Sequence, residues 1–315
     1  METKLCLCCG KPIDSNSLWH SNCLKKFFGV DYLPEINVSE EDLSKLAIAQ
    51  IQNKKSVAGV QEKLSLHLDL DIKKRPRLTI IGYPSGYILK PQSSKYKQLP
   101  EFEHTAMLLA ELCNIDVVPH GLIPINDNDE LAYITKRIDR NGNEKIHMED
   151  FCQASELTVD HKYRSSYEEC VDLIRKYSHY PDIDVIRLFS NLYFNFVIGN
   201  SDVHLKNFSF IMNDKGELRL SSFYDLLPTK VILPSDHDDL GMLFDGRKNN
   251  LRKHSFDAFC EYANIDRVIE YRIINSINSK QDKMKEIINN SSLNENAKSI
   301  WCKMIASNIK RAQQP

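Results

Sequence analysis

The chain has 315 residues, 42% of them hydrophobic and 27% charged, with a formal net charge of -2 and a pI of about 6.6. That length supports two lobes with separate cores, and the near-neutral charge argues against a broad nucleic-acid-binding surface. No apolar run approaches the roughly 20 residues of a membrane span. The start, Met1-Glu-Thr-Lys-Leu-Cys6, lacks the apolar core of a signal peptide, so the expectation is a cytoplasmic protein without membrane contact.

Nine cysteines is an odd count, and Cys113, Cys152, Cys170, Cys260 and Cys302 are scattered. This suits reduced thiols better than a disulfide framework. The other four lie at the N-terminus, in Cys6-Leu-Cys-Cys9-Gly-Lys-Pro and Trp19-His-Ser-Asn-Cys23. Cys6 and Cys9 form a C-x-x-C knuckle, and His20 and Cys23 an H-x-x-C pair. Three thiolates and an imidazole make a closed tetrahedral zinc set, which would be structural because protein fills every position. Cys8 competes for a ligand place, and the plain alternative is a small apolar flap with free thiols.

Residues 39–53 read as a helix. Ser39 stands at the N-cap, Glu40, Glu41 and Asp42 in the first turn, and Leu43, Leu46, Ala47 and Ile51 on one face. Next comes Ser56-Val-Ala-Gly-Val-Gln-Glu-Lys63, where Gly59 alone reads as a simple β-turn. Leu64, Leu66, Leu68 and Leu70 alternate as a strand. Leu78–Ile81 and Tyr87–Lys90 read as two more strands around Tyr83-Pro-Ser-Gly86. Lys90 ends an apolar strand, so it either snorkels from a sheet edge or reaches a phosphate. Leu99 to Cys113 is an amphipathic helix with Glu103 near its start. A carboxylate there suits the helix dipole or pairs with Lys90. Leu131 to Asp139 is a strand running into the turn Arg140-Asn-Gly142. From His147 the chain reads mostly helical, ending in a run from Val185 to Val197 at helical spacing.

That run leads into Ile198-Gly-Asn-Ser-Asp202-Val-His-Leu-Lys-Asn207-Phe-Ser209. A hairpin follows, Phe208–Met212 and Glu217–Leu220 around Asn213-Asp-Lys-Gly216, and then Asp225. A helix thus presents an acid and, five residues on, an amide, and the hairpin returns a second acid. Phosphoryl transfer from a metal–nucleotide uses such groups: one Asp orients or deprotonates the hydroxyl, while the Asn carbonyl and the second Asp bind magnesium. Protein kinases order them the same way. The spacing alone is weak, because Asp and Asn cluster in loops for turn reasons. Beyond Asp225 the pattern gives Leu240–Phe244, a turn at Asp245-Gly246, a helix capped by Ser255, and further helix.

In combination, several motifs resemble the HipA family of toxin kinases. They are Ser56-Val-Ala-Gly-Val-Gln-Glu-Lys, Tyr87-Ile-Leu-Lys-Pro, Glu103-His, Lys136-Arg-Ile-Asp-Arg, His147-Met-Glu-Asp-Phe-Cys-Gln, Gly199-Asn-Ser-Asp-Val-His-Leu-Lys-Asn-Phe-Ser and Tyr224-Asp-Leu-Leu-Pro. The compact form is most similar to the HipT type, with no room before Ser56 for the extra subdomain of longer relatives. The resemblance implies an α+β, two-lobed protein-kinase-like fold, with a small N-terminal lobe around an antiparallel sheet and a mainly helical C-terminal lobe. The expected division is a Cys/His segment over 1–38, an N-lobe over 39–139 and a C-lobe over 140–315.

The resemblance also implies an ATP- and magnesium-dependent Ser/Thr kinase, the toxin of a toxin–antitoxin system. Asp202 resembles the catalytic aspartate, Asn207 and Asp225 the magnesium ligands, and Lys90 the nucleotide lysine with Glu103 as its partner. Lys206 is expected to stabilise the transferring phosphoryl, and His204 to orient the loop. Val57, Ala58, Gly59, Val60 and Gln61 resemble the loop over the phosphates, and Ser56 the serine that family members autophosphorylate to switch themselves off. The hinge backbone from Lys136 to Ile138 meets adenine, although Lys136-Arg-Ile replaces the more usual Glu-Arg-Phe. Implied partners are a HipB-like helix-turn-helix antitoxin, a separate HipS-like small protein and an aminoacyl-tRNA synthetase substrate. The rival readings are a pseudokinase-like module that senses nucleotide and holds an antitoxin, and a zinc-ribbon regulator that binds nucleic acid directly.

Overall fold

The computed structural model describes residues 4–13, 17–37, 63–70, 76–79, 85–125, 130–142, 144–158 and 161–315. The helix expected over 39–53, Ser56 and the loop from Val57 to Gln61 lie outside these described residues. The chain divides into two compact units, one of residues 1–108 and 118–145, the other of 109–117 and 146–315.

The first unit is built on a six-stranded sheet. Its elements are α1 (Ser21–Phe28), β1 (Glu35–Asn37), β2 (Leu64–Asp69), β3 (Arg77–Thr79), β4 (Tyr87–Lys90), α2 (Leu99–Leu112), β5 (His120–Pro124) and β6 (Leu131–Lys136), followed by the short hairpin β7 (Arg140–Asn141) and β8 (Glu144–Lys145). The strand order is β1-β3-β2-β4-β6-β5. Neighbours are antiparallel except β1 and β3, which run parallel. The expected antiparallel sheet is therefore mixed at one edge.

Side chains alternate across a strand, and here both faces are used. Leu64, Leu66, Tyr87, Leu89, Ala132 and Ile134 share one core with Trp19, Leu24, Phe27 and Phe28 of the N-terminal segment. The opposite face carries His120, Lys90 and Tyr133 and meets α2, where the Nδ1 atoms of His104 and His120 lie 2.9 Å apart. The N-terminal segment is also bonded to the β5 edge. Leu122 N–H donates to the Leu7 carbonyl at 2.8 Å, and the Trp19 indole N–H donates to the Leu122 carbonyl at 2.9 Å. Trp19 lies so close to the strand that a Cβ on Gly121 would stand 2.5 Å from its ring.

The second unit is mainly helical, with a small sheet. It holds β9 (Met148–Asp150), α3 (Phe151–Ala154), α4 (Tyr167–Tyr177), α5 (Pro181–Ile198), a 3-10 turn over Leu205–Asn207, β10 (Ser209–Met212), β11 (Leu218–Leu220), α6 (Thr229–Ile232), α7 (Lys253–Tyr262), α8 (Arg267–Asn278), α9 (Gln281–Asn290) and α10 (Glu295–Ala312). α5 begins with proline in its first turn and Asp182 and Asp184 near its positive end, as helix N-termini favour. Its Phe189 packs on Phe259, and its Tyr193 and Phe196 on Phe256, with Phe244 behind both rings.

Two expectations are corrected. The start of the segment after His147 is not helical: Met148, Glu149 and Asp150 pair antiparallel with Ile211, Phe210 and Ser209. A strand of three residues is set by its distant partner, not by its own pattern. The helix near Ser255 starts earlier, at Lys253, with Arg252 in the N-cap position. The Lys253 N–H donates to the Gln314 carbonyl at 3.1 Å, so the C-terminal segment holds this helix start and Ser255 is buried inside the first turn. Among the described residues no helix is long and apolar enough to cross a membrane.

Gly121→Ala should lower stability by about 1–3 kcal/mol, because the buried Trp19 ring cannot retreat without disturbing the core. Equal thermal midpoints for the wild type and the variant would contradict this close approach.

Candidate active site and candidate metal centre

In the first unit, Lys90 ends β4 on the face that meets α2. Its Nζ lies 2.5 Å from Glu103 Oε1, and the two side chains are 5% and 0% exposed. The ammonium also sits 5.2 Å from the centre of the Tyr133 ring, its direct neighbour on β6. Such burial excludes the snorkelling lysine. Desolvating both charges offsets much of their attraction, so a buried pair is weak evidence of a stability device.

In the second unit, α5 ends at Gly199, whose φ of 79 is left-handed. A ladder of amides then leads to the loop. Asn195 Nδ2 donates to Asn191 Oδ1 at 2.8 Å, and Asn200 Nδ2 to Asn195 Oδ1 at 2.8 Å. Asn200 Oδ1 in turn accepts the Asp202 N–H at 3.3 Å. The half-buried Asp202 carboxylate accepts a hydrogen bond from the Tyr163 hydroxyl through Oδ1.

Around the 3-10 turn, Asn207 is buried and its Oδ1 accepts the His204 N–H at 2.9 Å. An amide oxygen has two lone pairs, so this cap leaves one for a cation. Lys206 forms an ion pair with Asp150 at 2.8 Å. The same Asp150 caps α3 by accepting the Gln153 N–H at 2.9 Å. Tyr224 closes the loop from the far side: its hydroxyl donates to the Lys206 carbonyl at 3.2 Å and accepts from Ser209 at 2.6 Å. Asp225 follows in a left-handed conformation, with φ of 56.

His204 is buried. Lys162 Nζ donates to its Nε2 at 2.8 Å, leaving a buried Nδ1 without a hydrogen-bond partner. Burial first, and then the Lys162 cation, hold its pKa down at about 3, against the opposing pull of the Asp225 carboxylate. It is a neutral acceptor that orders the loop.

Of the expected hinge residues, Lys136 ends β6 with an exposed side chain, and its N–H donates to the Pro119 carbonyl at 3.1 Å. Ile138 is half-buried, between Arg137 and Asp139, which form a two-pronged pair at 2.8 and 2.6 Å.

The four expected N-terminal ligands come together. One ligand atom from each of Cys6, Cys9, His20 and Cys23 lies within 4.8 Å of the others. Cys8 lies beside this set, with its Sγ directed at the His120 carbonyl at 3.7 Å and its side chain also in reach of Cys23.

Sequence reasoning missed Tyr163 and Lys162, which carry no motif and reach the loop from about forty residues upstream. Asp150 was visible within His147-Met-Glu-Asp, but its pairing with Lys206 was not. The amide ladder was missed as well, although Asn191, Asn195 and Asn200 stand four and five apart on and beyond one helix face.

The fold is an α+β, two-lobed kinase-like fold, shared with solved structures. Residues 55–301 match the HipA-like C-terminal domain, and the chain belongs to that family. It is 31% identical over 250 residues to Y4mE of Sinorhizobium fredii, a provisionally named kinase, covering 75% of this chain and 58% of Y4mE. It is 29% identical over 197 residues to the serine/threonine-protein kinase toxin HipA of Shewanella oneidensis, covering 55% of this chain and 42% of that toxin. The chain thus spans about half the length of these relatives. The structure of Shewanella oneidensis HipA with HipB and operator DNA superposes with a TM-score of 0.68 at 22% identity, covering 89% of this chain and 72% of that one.

Because His204 is held neutral down to about pH 3 while an unfolded histidine titrates near 6.5, only the unfolded chain gains this proton on acidification. Stability therefore falls as pH drops through that window, with a slope of up to about 1.4 kcal/mol per pH unit from this group. His204→Gln should show a shallower loss of thermal midpoint between about pH 6.5 and 5; identical slopes would mean His204 is not held neutral.

Proposed function

We propose that this chain is an ATP- and magnesium-dependent Ser/Thr protein kinase and the toxin of a toxin–antitoxin system. The observation that carries the reading is the buried Lys90–Glu103 pair at 2.5 Å. A lysine at a strand end, aimed by a helix glutamate, is the arrangement that neutralises nucleotide phosphates in kinases. Asp202 receives or orients the substrate hydroxyl proton, and the Tyr163 hydroxyl fixes its rotamer. Asn207 and Asp225 offer hard oxygen donors suited to magnesium, which when bound neutralises charge on the transferring phosphoryl group. Lys206 stabilises that group once it shares or leaves Asp150.

The solved structure of Shewanella oneidensis HipA with HipB supports a HipB-like partner; the other finer points of the proposal rest on the resemblance of the sequence motifs alone. The substrate is an aminoacyl-tRNA synthetase, whose modification halts translation in the cytoplasm. The partners are a HipB-like helix-turn-helix antitoxin and a separate HipS-like small protein. Ser56, outside the described residues, is the inhibitory autophosphorylation site, since a phosphoserine adds about -1.5 to -2 charge beside a loop that must approach ATP.

Transfer of labelled phosphate from ATP separates a kinase from a nucleotide-sensing binding module. Asp202→Asn keeps an acceptor for Tyr163, so its thermal midpoint should hold while transfer falls by about 10²–10⁴-fold. Phosphate on Ser56 should appear by mass spectrometry in the wild type and be absent in this variant. Wild-type transfer rates in Asp202→Asn would sink the proposal.

Asp225→Asn tests the metal. Asparagine tolerates the left-handed backbone that Asp225 adopts, so the unliganded midpoint should stay. Most of the stabilisation by ATP with magnesium should disappear, because a neutral amide replaces the anionic ligand. Equal ligand-induced shifts in both proteins would remove Asp225 from the site.

A further inference from the structure

We propose that Cys6, Cys9, His20 and Cys23 bind one structural zinc ion, and that this ion fastens the N-terminal knuckle to the β5 edge of the six-stranded sheet. The four ligand atoms lie within 4.8 Å of one another. Tetrahedral zinc with Zn–S of about 2.3 Å has sulfur–sulfur edges of about 3.8 Å, so the cluster closes onto the ion by side-chain shifts of about 1 Å. Three thiolates and an imidazole are a soft donor set that selects zinc over magnesium or calcium.

The surroundings are those of a metal site. His20 Nε2–H donates to the Pro12 carbonyl at 3.0 Å, which leaves Nδ1 as the ligand atom. That Nδ1 lies 3.4 Å from Cys9 Sγ and 3.9 Å from Cys23 Sγ. A carbonyl fixing the ring tautomer is the usual outer support of a metal-bound histidine. The His20 N–H points at Cys6 Sγ at 3.3 Å, and the knuckle turn is closed by Gly10 N–H on the Cys6 carbonyl at 2.9 Å.

The ion joins two pieces of chain that each grip the sheet. The knuckle holds β5 through the Leu7 carbonyl, which accepts the Leu122 N–H at 2.8 Å, and Trp19, next to His20, donates to the carbonyl of the same Leu122 at 2.9 Å. Cys23 lies on α1, whose Leu24, Phe27 and Phe28 fill the core beneath. Neither piece is a full strand or a long helix, so the ion replaces the cooperativity that regular structure would supply.

The full chain, purified under reducing conditions, should carry about one zinc by elemental analysis. Cobalt exchanged for zinc should give the visible bands of a tetrahedral thiolate site. Cys23→Ser should lose both signals, and Cys8→Ser should keep both. Chelation of the wild type should expose the N-terminal segment to protease. Wild-type protein with well under half a zinc per chain and no tetrahedral cobalt spectrum would overturn the proposal, whether or not the variant folds. So would unchanged zinc in Cys23→Ser, or a Cys6–Cys9 disulfide in the purified wild type. None of these readouts depends on kinase activity.

Discussion

α5 ends inside the protein, and its last carbonyls need partners that water cannot supply. Each one left unpaired would cost about 1–3 kcal/mol. α10 provides the partners: the Trp301 indole N–H donates to the Ile198 carbonyl at 3.0 Å, and Asn308 Nδ2 to the Phe196 carbonyl at 2.9 Å. The same helix sends Arg311 in two prongs onto Asp239 at 2.6 and 2.7 Å, and Lys230 joins at 3.0 Å. A Cβ on Gly199 would stand 2.3 Å from Met304 Sδ. The entrance to the loop that carries Asp202 is thus clamped from behind by the end of the chain. Residues that carry no motif hold this loop still.

The charges on that loop are arranged by pairing. Lys206 is held by Asp150, which at the same time caps α3 and ends β9. Lys162 is held by the neutral His204. An acid, a cation and an imidazole packed this closely would repel or attract unpredictably if they were mobile. These pairings fix the local field of the loop, and under the proposed kinase reading that is the condition in which electrostatic catalysis costs no reorganisation.

The legible parts of the sequence were those with local signals. α5, the β10–β11 hairpin, α2 and the Cys/His spacing follow from period, turn residues and ligand pattern. β9 was missed because its three residues are made a strand only by β10. Tyr163 was missed because one phenol aimed at an aspartate leaves no trace in spacing. The start of α7 was misplaced because a bond to Gln314, not a local cap, holds it. Lys90 lay between. The sequence left open whether it is a solvent-seeking edge lysine or reaches a phosphate, and its 5% exposure excludes the first.

The direction of Lys90 depends on the opposite face of its strand. Tyr87 and Leu89 point into the core under the N-terminal segment, where the Tyr87 hydroxyl donates to the Phe27 carbonyl at 3.3 Å and the two rings stack with centres 5.7 Å apart. A slip of one residue would exchange the faces, placing Lys90 in that aromatic core and Leu89 against Glu103. The cost of burying an unpaired ammonium among Trp19, Phe27 and Phe28 forbids it. The packing of the N-terminal segment therefore fixes the rotation of β4 about its own axis, and through it the aim of Lys90 at Glu103. The ion pair and the cysteine-bearing segment lie on opposite faces of one sheet, and the pleat of a four-residue strand couples them.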